Sequence, residues 1–152
     1  MEKHIYATES GTVSYWTAGA RNPGACTLVF LPGLTADHTL FDAQVAHFSH
    51  THLCIAWDAP AHGESRPYPL DFSLDDCALI LHGILAKENV SRPVLVGQSL
   101  GGYVAQAYVD LFPGEVAGFA SIDSAPLKRS YYPKWEIAAL RHTKGMYLSI
   151  PW

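Results

Sequence analysis

The sequence predicts an α/β fold with a mostly parallel, doubly wound sheet, and two patterns indicate it. Short, nearly unbroken apolar runs recur along the 152 residues, as is typical of parallel strands that are covered on both faces. Helical periodicity appears between these runs, in the alternation that α/β proteins show. Ligands of such folds bind beyond the carboxyl ends of the strands, so the residues that follow each apolar run are the first candidates for a site.

The strands are predicted in chain order, beginning with two N-terminal strands. The second of these, Thr12 to Ala18, has the β-rich composition of a half-buried strand. Apolar runs then predict buried strands at Thr27 to Leu31, His52 to Trp57 and Pro93 to Val96. A sixth strand is expected from Val116 to Ile122, directly before Asp123.

Helices are predicted between the later strands. Ser73 and Asp76 have the spacing of a capping box, and helical periodicity follows them up to Lys87. A second helix is expected from Leu100 to Phe112, where Pro113 and Gly114 end it. A third helix is expected from about Pro133 to near Gly145.

The charge of the chain limits the classes of partner. Ten Lys and Arg residues stand against 14 Asp and Glu, giving a net charge of −4, and no basic cluster stands out. The basic surface that binds nucleic acid or an anionic membrane is therefore not expected. The predicted partner is a small molecule.

The cysteines and the hydropathy pattern argue against a secreted or membrane-spanning protein. Cys26, Cys54 and Cys77 are odd in number and have no CxxC spacing, which disfavours a disulfide framework and a zinc site. We interpret them as small buried apolar residues. The N-terminus has no apolar leader-like segment and no run of eighteen apolar residues occurs, so residence in the cytoplasm is the expectation.

The strongest chemical signal is the segment Gly97-Gln98-Ser99-Leu100-Gly101. It matches GxSxG and lies between a predicted strand and a predicted helix, the setting that a nucleophile elbow requires. The turn is so tight that the residues two before and two after the serine must lack side chains, and Gly97 and Gly101 meet that demand. Ser99 would project at a helix N-terminus, which favours developing negative charge. The alternative is a glycine-rich turn with an idle serine.

A second signal follows the third predicted strand, at Leu31-Pro32-Gly33-Leu34. A loop at Gly33 can present a backbone N–H across from the serine. The N–H groups of Leu34 and Leu100 would then form an oxyanion hole, a pair of donors that stabilises a tetrahedral intermediate. Taken alone, the Pro-Gly pair indicates only a turn.

The segment Asp58 to Ser65 follows the fourth predicted strand and reads as scaffold. Its residue types suit a loop in which Asp58 and Ser65 satisfy backbone donors while Pro60 fixes the chain direction. His62 lies within it. We interpret His62 as structural, with a role as catalytic base as the alternative.

In combination and in this order, these segments resemble the α/β-hydrolase fold family, in its esterase, lipase and haloperoxidase-like branch. The string Phe119-Ala-Ser-Ile-Asp123 completes the pattern, which covers nearly the whole chain. Three positions depart from the family: Pro32 and Gln98 stand where His is common, and Ala61 where Gly is usual. None of the three removes a catalytic group.

The resemblance implies that Ser99 is the nucleophile, that Leu34 and Leu100 form the oxyanion hole, and that an acid and a histidine placed later complete a triad. It also implies a division of the chain into residues 1–124, the N-terminal part of the hydrolase core with its first six strands, and 125–152, the start of a helical lid. The chain then ends inside its lid, as an N-terminal fragment of the family without a seventh or eighth strand.

The acid and the base of the triad are open on this sequence. Asp123 is a candidate acid, since a minority of the family places its acid after the sixth strand; the alternative is a carboxylate that caps the following loop. His38 and His142 are the two histidines that we can place near Ser99. Of the other histidines, we interpret His4, His47, His50, His52 and His82 as surface residues.

The function implied by the resemblance is hydrolysis of an ester-like or other acyl bond through an acyl-enzyme on Ser99, with no cofactor and no metal. A serine disfavours dehalogenase and epoxide hydrolase chemistry, which needs a carboxylate nucleophile. Two alternatives remain: a truncated, catalytically silent binding module, and an acyltransferase that uses the same serine.

The last expectation concerns association. Without further strands, the strand from Val116 to Ile122 becomes an exposed apolar edge of the sheet. Such edges pair with other chains. We therefore expect the chain to self-associate through this edge.

Overall fold

The structure is a computed structural model and describes residues 1–126. One six-stranded sheet runs through them in the order β1-β2-β4-β3-β5-β6. Strands β3 to β6 run parallel to one another, β2 pairs antiparallel with β4, and β1 pairs antiparallel with β2. The strand bounds are β1 Glu2–Ala7, β2 Thr12–Ala18, β3 Leu28–Leu31, β4 Cys54–Trp57, β5 Val94–Gln98 and β6 Gly118–Ile122. The predicted α/β class with six strands in a mostly parallel sheet is confirmed.

The helices cover both faces of this sheet. They are a 3₁₀ turn at His38–Phe41 and the helices α1 Asp42–Phe48, α2 Leu74–Lys87 and α3 Leu100–Leu111. Helices α2 and α3 share one apolar core with the sheet, while Phe41 and Val45 pack into a second core. Two cores on opposite faces make the sheet doubly wound. The helix predicted from Pro133 to Gly145, and with it most of the segment 125–152 that is predicted to begin a lid, lies outside the described residues.

The two cores follow from the alternation of side chains along the buried strands. Leu28 and Phe30 of β3 join the core on the α1 side, and Val29 and Leu31 join the core beneath α2 and α3. All four residues of β3 are buried. This double-sided burial explains why the strand reads as an unbroken apolar run rather than as an alternation.

The cysteines agree with the sequence interpretation at two of three positions. All three are free thiols; Cys54 and Cys77 are buried and Cys26 is half-buried. Burial raises the pKa of the Cys54 thiol to about 11 and that of Cys77 to about 12. The interpretation of Cys26 as a buried residue is wrong, because it lies just before β3, outside the fully covered part of the sheet.

The start of α2 is the one that the sequence predicts. Ser73 Oγ accepts a hydrogen bond from Asp76 N at 3.1 Å, and Asp76 Oδ2 accepts one from Ser73 N at 2.7 Å. This reciprocal pair is a capping box, which satisfies backbone donors that the first helical turn leaves without partners. Strand β2 has the predicted bounds, and those of β3 to β6 and α3 differ from the predicted ones by one or two residues, as helix and strand ends commonly do; β6, for instance, begins at Gly118.

The parallel strands bring their carboxyl ends to one edge of the sheet. Leu31 of β3 is paired with Gly97 of β5, and Gln98 of β5 is paired with Ile122 of β6. The loops that follow β3, β5 and β6 therefore leave the sheet side by side, and they carry the predicted site residues. Within residues 1–126, no helix is long and apolar enough to cross a membrane.

Among the described residues, β6 pairs only with β5 and forms an edge of the sheet. The strand has no charged residue, and the side chains of Phe119 and Ile122 are 38% and 44% exposed. We propose that this edge associates with a second copy, since it lacks the charges and prolines that block strand pairing at natural edges.

The purified chain is accordingly expected to form dimers or larger species as its concentration rises in sedimentation velocity experiments. A Phe119→Lys variant should remain smaller, because the charge must be desolvated when strands pair. Leu70→Lys is the matched control, since Leu70 is also exposed but lies in a loop far along the chain from β6. A chain that stays monomeric at every concentration would contradict the proposal.

Candidate active site

Ser99 occupies a strained turn between β5 and α3. It is a non-glycine residue with φ 49° and ψ −114°. A positive φ of this kind costs on the order of 1–3 kcal/mol and persists only where the surrounding structure holds it. The predicted elbow geometry at this position is present.

Close backbone packing explains the glycines around Ser99. A Cβ atom on Gly97 would overlap the backbone of Gly101, and one on Gly101 would overlap the carbonyl of Leu31. Both overlaps are with backbone atoms, which cannot rotate away. The sequence argument that these two positions must lack side chains is therefore correct. The contact with Leu31 shows in addition that the end of β3 packs directly against the start of α3.

Two hydrogen bonds join the elbow to the end of β6. Ser99 N donates to the carbonyl of Ile122 at 2.9 Å, and Ser124 Oγ donates to the carbonyl of Ser99 at 2.9 Å. Gln106 Nε2 of α3 donates to the carbonyl of Ala125 at 3.0 Å and holds the same segment. The serine backbone is thus fixed from both sides.

Sequence reasoning missed Ser124 and Gln106. Their side chains act on residues 25 and 19 positions away along the chain. The sequence holds one sign that Ser124 approaches α3 closely, namely the glycine at position 102, because a Cβ there would overlap the Ser124 hydroxyl. The second glycine of Gly101-Gly102 therefore makes room for Ser124.

The loop after β3 packs directly on the elbow. A Cβ on Gly33 would lie 3.1 Å from Ser99 Cβ and would overlap the amide oxygen of Gln98. Leu34 follows at once, and its N–H donates no hydrogen bond within residues 1–126. Leu100 is the first residue of α3, where backbone N–H groups have no partner inside the helix. Both predicted oxyanion donors thus belong to segments that flank Ser99.

Asp123 comes directly after β6, between the two residues that hydrogen-bond to Ser99. It is exposed, with φ 50°. Its carboxylate accepts no hydrogen bond from any residue of the described range, so the capping of the following loop that we considered for it does not occur there. Asp123 thus lies on the same edge of the sheet as Ser99, with no hydrogen-bond partner for its carboxylate among residues 1–126.

His38 begins the 3₁₀ turn that follows the loop after β3, and it hydrogen-bonds to Asp58, the residue directly after β4. Its Nδ1–H donates to Asp58 Oδ1 at 2.9 Å, and its ring stacks on Trp16 of β2 with centroids 3.4 Å apart. Because β3 separates β4 from β5, the backbones that carry Asp58 and Ser99 are about 10 Å apart at the usual strand spacing. The imidazole also stacks on Trp16 of β2, the strand on the far side of β4 from β3. The structure does not bring His38 to Ser99, and the second candidate base, His142, lies outside the described residues.

The segment from Asp58 to Ser65 is the hydrogen-bonded scaffold that the sequence predicts. Asp58 Oδ2 accepts from Glu64 N at 2.7 Å, and Ser65 Oγ donates to the carbonyl of Asp58 at 2.7 Å. His62 is buried and its Nδ1–H donates to the carbonyl of Pro60 at 2.9 Å. Burial lowers the pKa of His62, which suits a neutral imidazole inside a loop.

The remaining five histidines are exposed or half-buried. His47 and His50 lie on the surface, whereas His4, His52 and His82 are half-buried. His4 stacks on Tyr15 and bonds to Thr17, and His82 stacks on Phe112. These three keep part of their surface exposed, as the sequence interpretation expects, and each imidazole also packs its flat face or edge against another aromatic ring.

A serine on a strand-to-helix elbow, beside a loop that ends the neighbouring parallel strand, defines a class of α/β protein. The chain belongs to the α/β hydrolase fold family, whose model matches residues 27–144. The resemblance inferred from the sequence is confirmed.

Similar proteins include enzymes of two kinds. A probable serine hydrolase of Drosophila melanogaster is 30% identical over 129 residues, which are 82% of this chain and 38% of that protein. A serine O-succinyltransferase of Frateuria aurantia is 35% identical over 72 residues, 45% of this chain and 20% of that protein. The chain thus spans less than half the length of these two curated relatives.

A solved structure supports the fold. The structure described as Est816, an N-acyl homoserine lactone degrading enzyme, superposes with a TM-score of 0.77 at 22% identity. The match covers 95% of this chain and 54% of that chain. At this identity the likeness concerns the fold alone.

Proposed function

We propose that the protein is a serine hydrolase that cleaves an ester-like or other acyl bond through an acyl-enzyme on Ser99. The observation that carries the proposal is the strained Ser99 turn, with φ 49°, at the N-terminus of a twelve-residue helix. Strain of this size in a residue other than glycine is typical of functional sites. Family membership supports the same chemistry.

The reaction begins at Ser99 Oγ. The oxygen bonds to the carbonyl carbon of the substrate while its proton passes to a base. The carbonyl oxygen becomes an oxyanion, which the N–H groups of Leu34 and Leu100 stabilise together with the positive end of α3. The bond to the leaving group then breaks, and the leaving group takes up the proton. Water then attacks the acyl carbon and gives a proton to the base, and the bond to Ser99 Oγ breaks as this oxygen takes up the proton, which releases the acid and restores the serine.

Asp123 is the proposed acid that orients the base. Its support is its position, since Ile122 and Ser124 on either side both hydrogen-bond to Ser99. No histidine of residues 1–126 hydrogen-bonds to Ser99. In this proposal the base therefore comes from outside those residues.

The proposal predicts selective labelling by a fluorophosphonate, a reagent that reacts with activated serines. We expect labelling at Ser99, at a low rate in the absence of a nearby base, and its complete loss in Ser99→Ala. The N–H donors of the oxyanion hole stabilise the phosphoryl oxygen of the reagent during the reaction at Ser99. We expect the other serines to react more slowly, because they have no such pair of donors beside them. Mass spectrometry of the digested protein identifies the modified residue.

Ser121→Ala is the matched control for that experiment. Ser121 is exposed on β6, in register with Gly97, yet it lies in regular strand backbone. Its removal should leave the labelling unchanged. Label spread over Ser65, Ser91 and Ser121 would overturn the assignment of Ser99 as nucleophile.

A second candidate function is acyl transfer to an acceptor other than water. The likeness to the Frateuria aurantia serine O-succinyltransferase favours it. The same Ser99 acyl-enzyme would form, and the hydroxyl of the acceptor would attack in place of water. Partition of the acyl group between water and added serine, measured by product analysis, separates the two functions; a chain that accepts no label at all would instead fit a catalytically silent binding module.

A further inference from the structure

The loop after β3, which carries Leu34, is fixed by contacts at both of its ends. Only the contact at its start involves Ser99. At its start, Gly33 packs on Ser99. At its end, His38 is tied to Asp58 and Trp16. We propose that His38 is a positioning residue for the oxyanion hole, fixing the loop that directs the Leu34 N–H toward Ser99. The inference rests on the function proposed for Ser99.

Asp58 is the fixed point of this arrangement. It is fully buried, and its Oδ1 accepts two hydrogen bonds from His38, from the backbone N at 2.7 Å and from Nδ1 at 2.9 Å. Its Oδ2 accepts from Glu64 N at 2.7 Å. Hydrogen bonds to a carboxylate are roughly twice as strong as those between neutral groups. The carboxylate thus joins the loop after β3 to the loop after β4.

Trp16 removes the remaining freedom of the imidazole. The two rings are nearly parallel, at 13°, with centroids 3.4 Å apart, and Trp16 is itself only 6% exposed. Because the carboxylate holds Nδ1 and the indole holds the ring plane, neither torsion of the His38 side chain is free. The end of the loop cannot shift without breaking both contacts.

The loop between these two ends is short and strained. Residues 33–37 span it, and Thr35 has φ 68°. A hydrogen bond from Ala36 N to the carbonyl of Gly33, at 3.2 Å, closes the turn. A threonine at positive φ costs on the order of 1–3 kcal/mol, so the turn keeps this shape only while its ends are held.

This geometry makes His38 matter for Leu34. The Leu34 N–H donates to no residue of the described range, so no partner of its own sets its direction. Its direction follows from the turn and from the two points that hold the turn. An oxyanion donor contributes only when it is directed at the developing charge, and losing one donor costs about a hundred- to a thousandfold in rate.

Three substitutions at His38 separate the hydrogen bond from simple packing. In His38→Asn the side-chain amide nitrogen lies where Nδ1 lies in histidine, so the bond to Asp58 is kept. In His38→Gln the amide lies one carbon further from the backbone, and in His38→Leu the side chain has no donor; the bond from the backbone N of residue 38 to Asp58 Oδ1 is common to all three variants. We expect the rate constant for fluorophosphonate labelling of Ser99 to fall at least about tenfold in His38→Leu and His38→Gln. It should stay within about threefold of the parent in His38→Asn, and His50→Leu, a change at an exposed histidine, should have no effect.

Hydrogen exchange at the Ala36 amide gives a readout that does not depend on the chemistry of Ser99. Its bond to Gly33 closes the turn, so exchange should accelerate at least about tenfold in His38→Leu and His38→Gln and not in His38→Asn. Melting temperatures of each variant show that the measurements are made on folded protein.

The outcomes distinguish the inference from the function beneath it. Equal labelling and equal Ala36 exchange in all three variants would overturn the role of His38. Equal losses in His38→Asn and His38→Leu would overturn the role of the Asp58 hydrogen bond. If the parent chain is not labelled at Ser99 but Ala36 exchange responds as expected, the proposed function fails while the anchoring of the loop stands.

Discussion

The purified 152-residue chain is expected to hydrolyse a short activated ester about a millionfold more slowly than a complete serine triad does. The hydroxyl of Ser99 is a weak nucleophile until a base accepts its proton, and no histidine of residues 1–126 lies within hydrogen-bond reach of it. The oxyanion hole and substrate binding alone leave roughly a thousand- to ten-thousandfold acceleration over water. Release of p-nitrophenol from p-nitrophenyl acetate measures this rate.

Ser99→Ala, purified in the same way, is the control for that assay. It should remove the residual activity and leave only the uncatalysed rate. A rapid reaction in the parent that disappears in Ser99→Ala would contradict the prediction, because it would require a base within the 152 residues. His142→Ala would then identify or exclude the histidine that the described residues do not include.

Gly101→Ala is expected to destabilise the folded chain by at least about 3 kcal/mol. The added Cβ would overlap the carbonyl of Leu31 and approach that of Pro32 to 2.8 Å. Both are backbone atoms, so relief requires α3 to move away from β3 and to carry the elbow with it. At this chain length the loss corresponds to a fall of about 10 °C in the melting temperature, which circular dichroism measures.

Gly118→Ala provides the comparison for this substitution. Gly118 lies in β6, where a Cβ would meet only the side chain of Val94, at 3.6 Å, an ordinary contact. We expect a change of less than about 1 kcal/mol there. If the two variants melt at the same temperature, the close packing of α3 on the end of β3 is not what holds the elbow.

The sequence was sufficient to locate the elbow because its constraints are local. Gly97, Ser99 and Gly101 fall within five residues, and the strand and helix that flank them each have their own periodicity. The capping box at Ser73 is local in the same sense. Spacing along the chain is enough for such features, since the atoms in contact belong to neighbouring turns of backbone.

The contacts around His38 could not be predicted in this way. Trp16, His38 and Asp58 belong to three segments that meet only because β2 lies next to β4 and the loop after β3 folds across the end of β4. Nothing in the order of the residues indicates that an indole will stack on this imidazole. The sequence predicts His38 as a candidate base for Ser99. In the structure His38 hydrogen-bonds to Asp58 after β4, and β3 lies between β4 and the strand that precedes Ser99.

The contact of Ser124 with the elbow is a second example of an interaction that the sequence does not predict. As a serine in a loop it is unremarkable in the sequence, and its hydrogen bond to Ser99 exists only because β6 pairs with β5 in one register. A shift of that register by one residue would turn the strand over. Asp123 could be predicted as a candidate, since its place after a strand is a sequence feature, but its closeness to the nucleophile depends on that pairing.

The pairing of β6 with β5 also determines when the Ser99 turn can form during synthesis of the chain. The hydrogen bonds that fix the Ser99 backbone reach forward to Ile122 and Ser124. Ribosomes add about 5–20 residues per second, so the serine emerges one to several seconds before the strand that locks its turn. During that interval the contacts that maintain the strained conformation of Ser99 are absent, and the residue is free to relax from it. The turn is therefore expected to close only once β6 has left the exit tunnel.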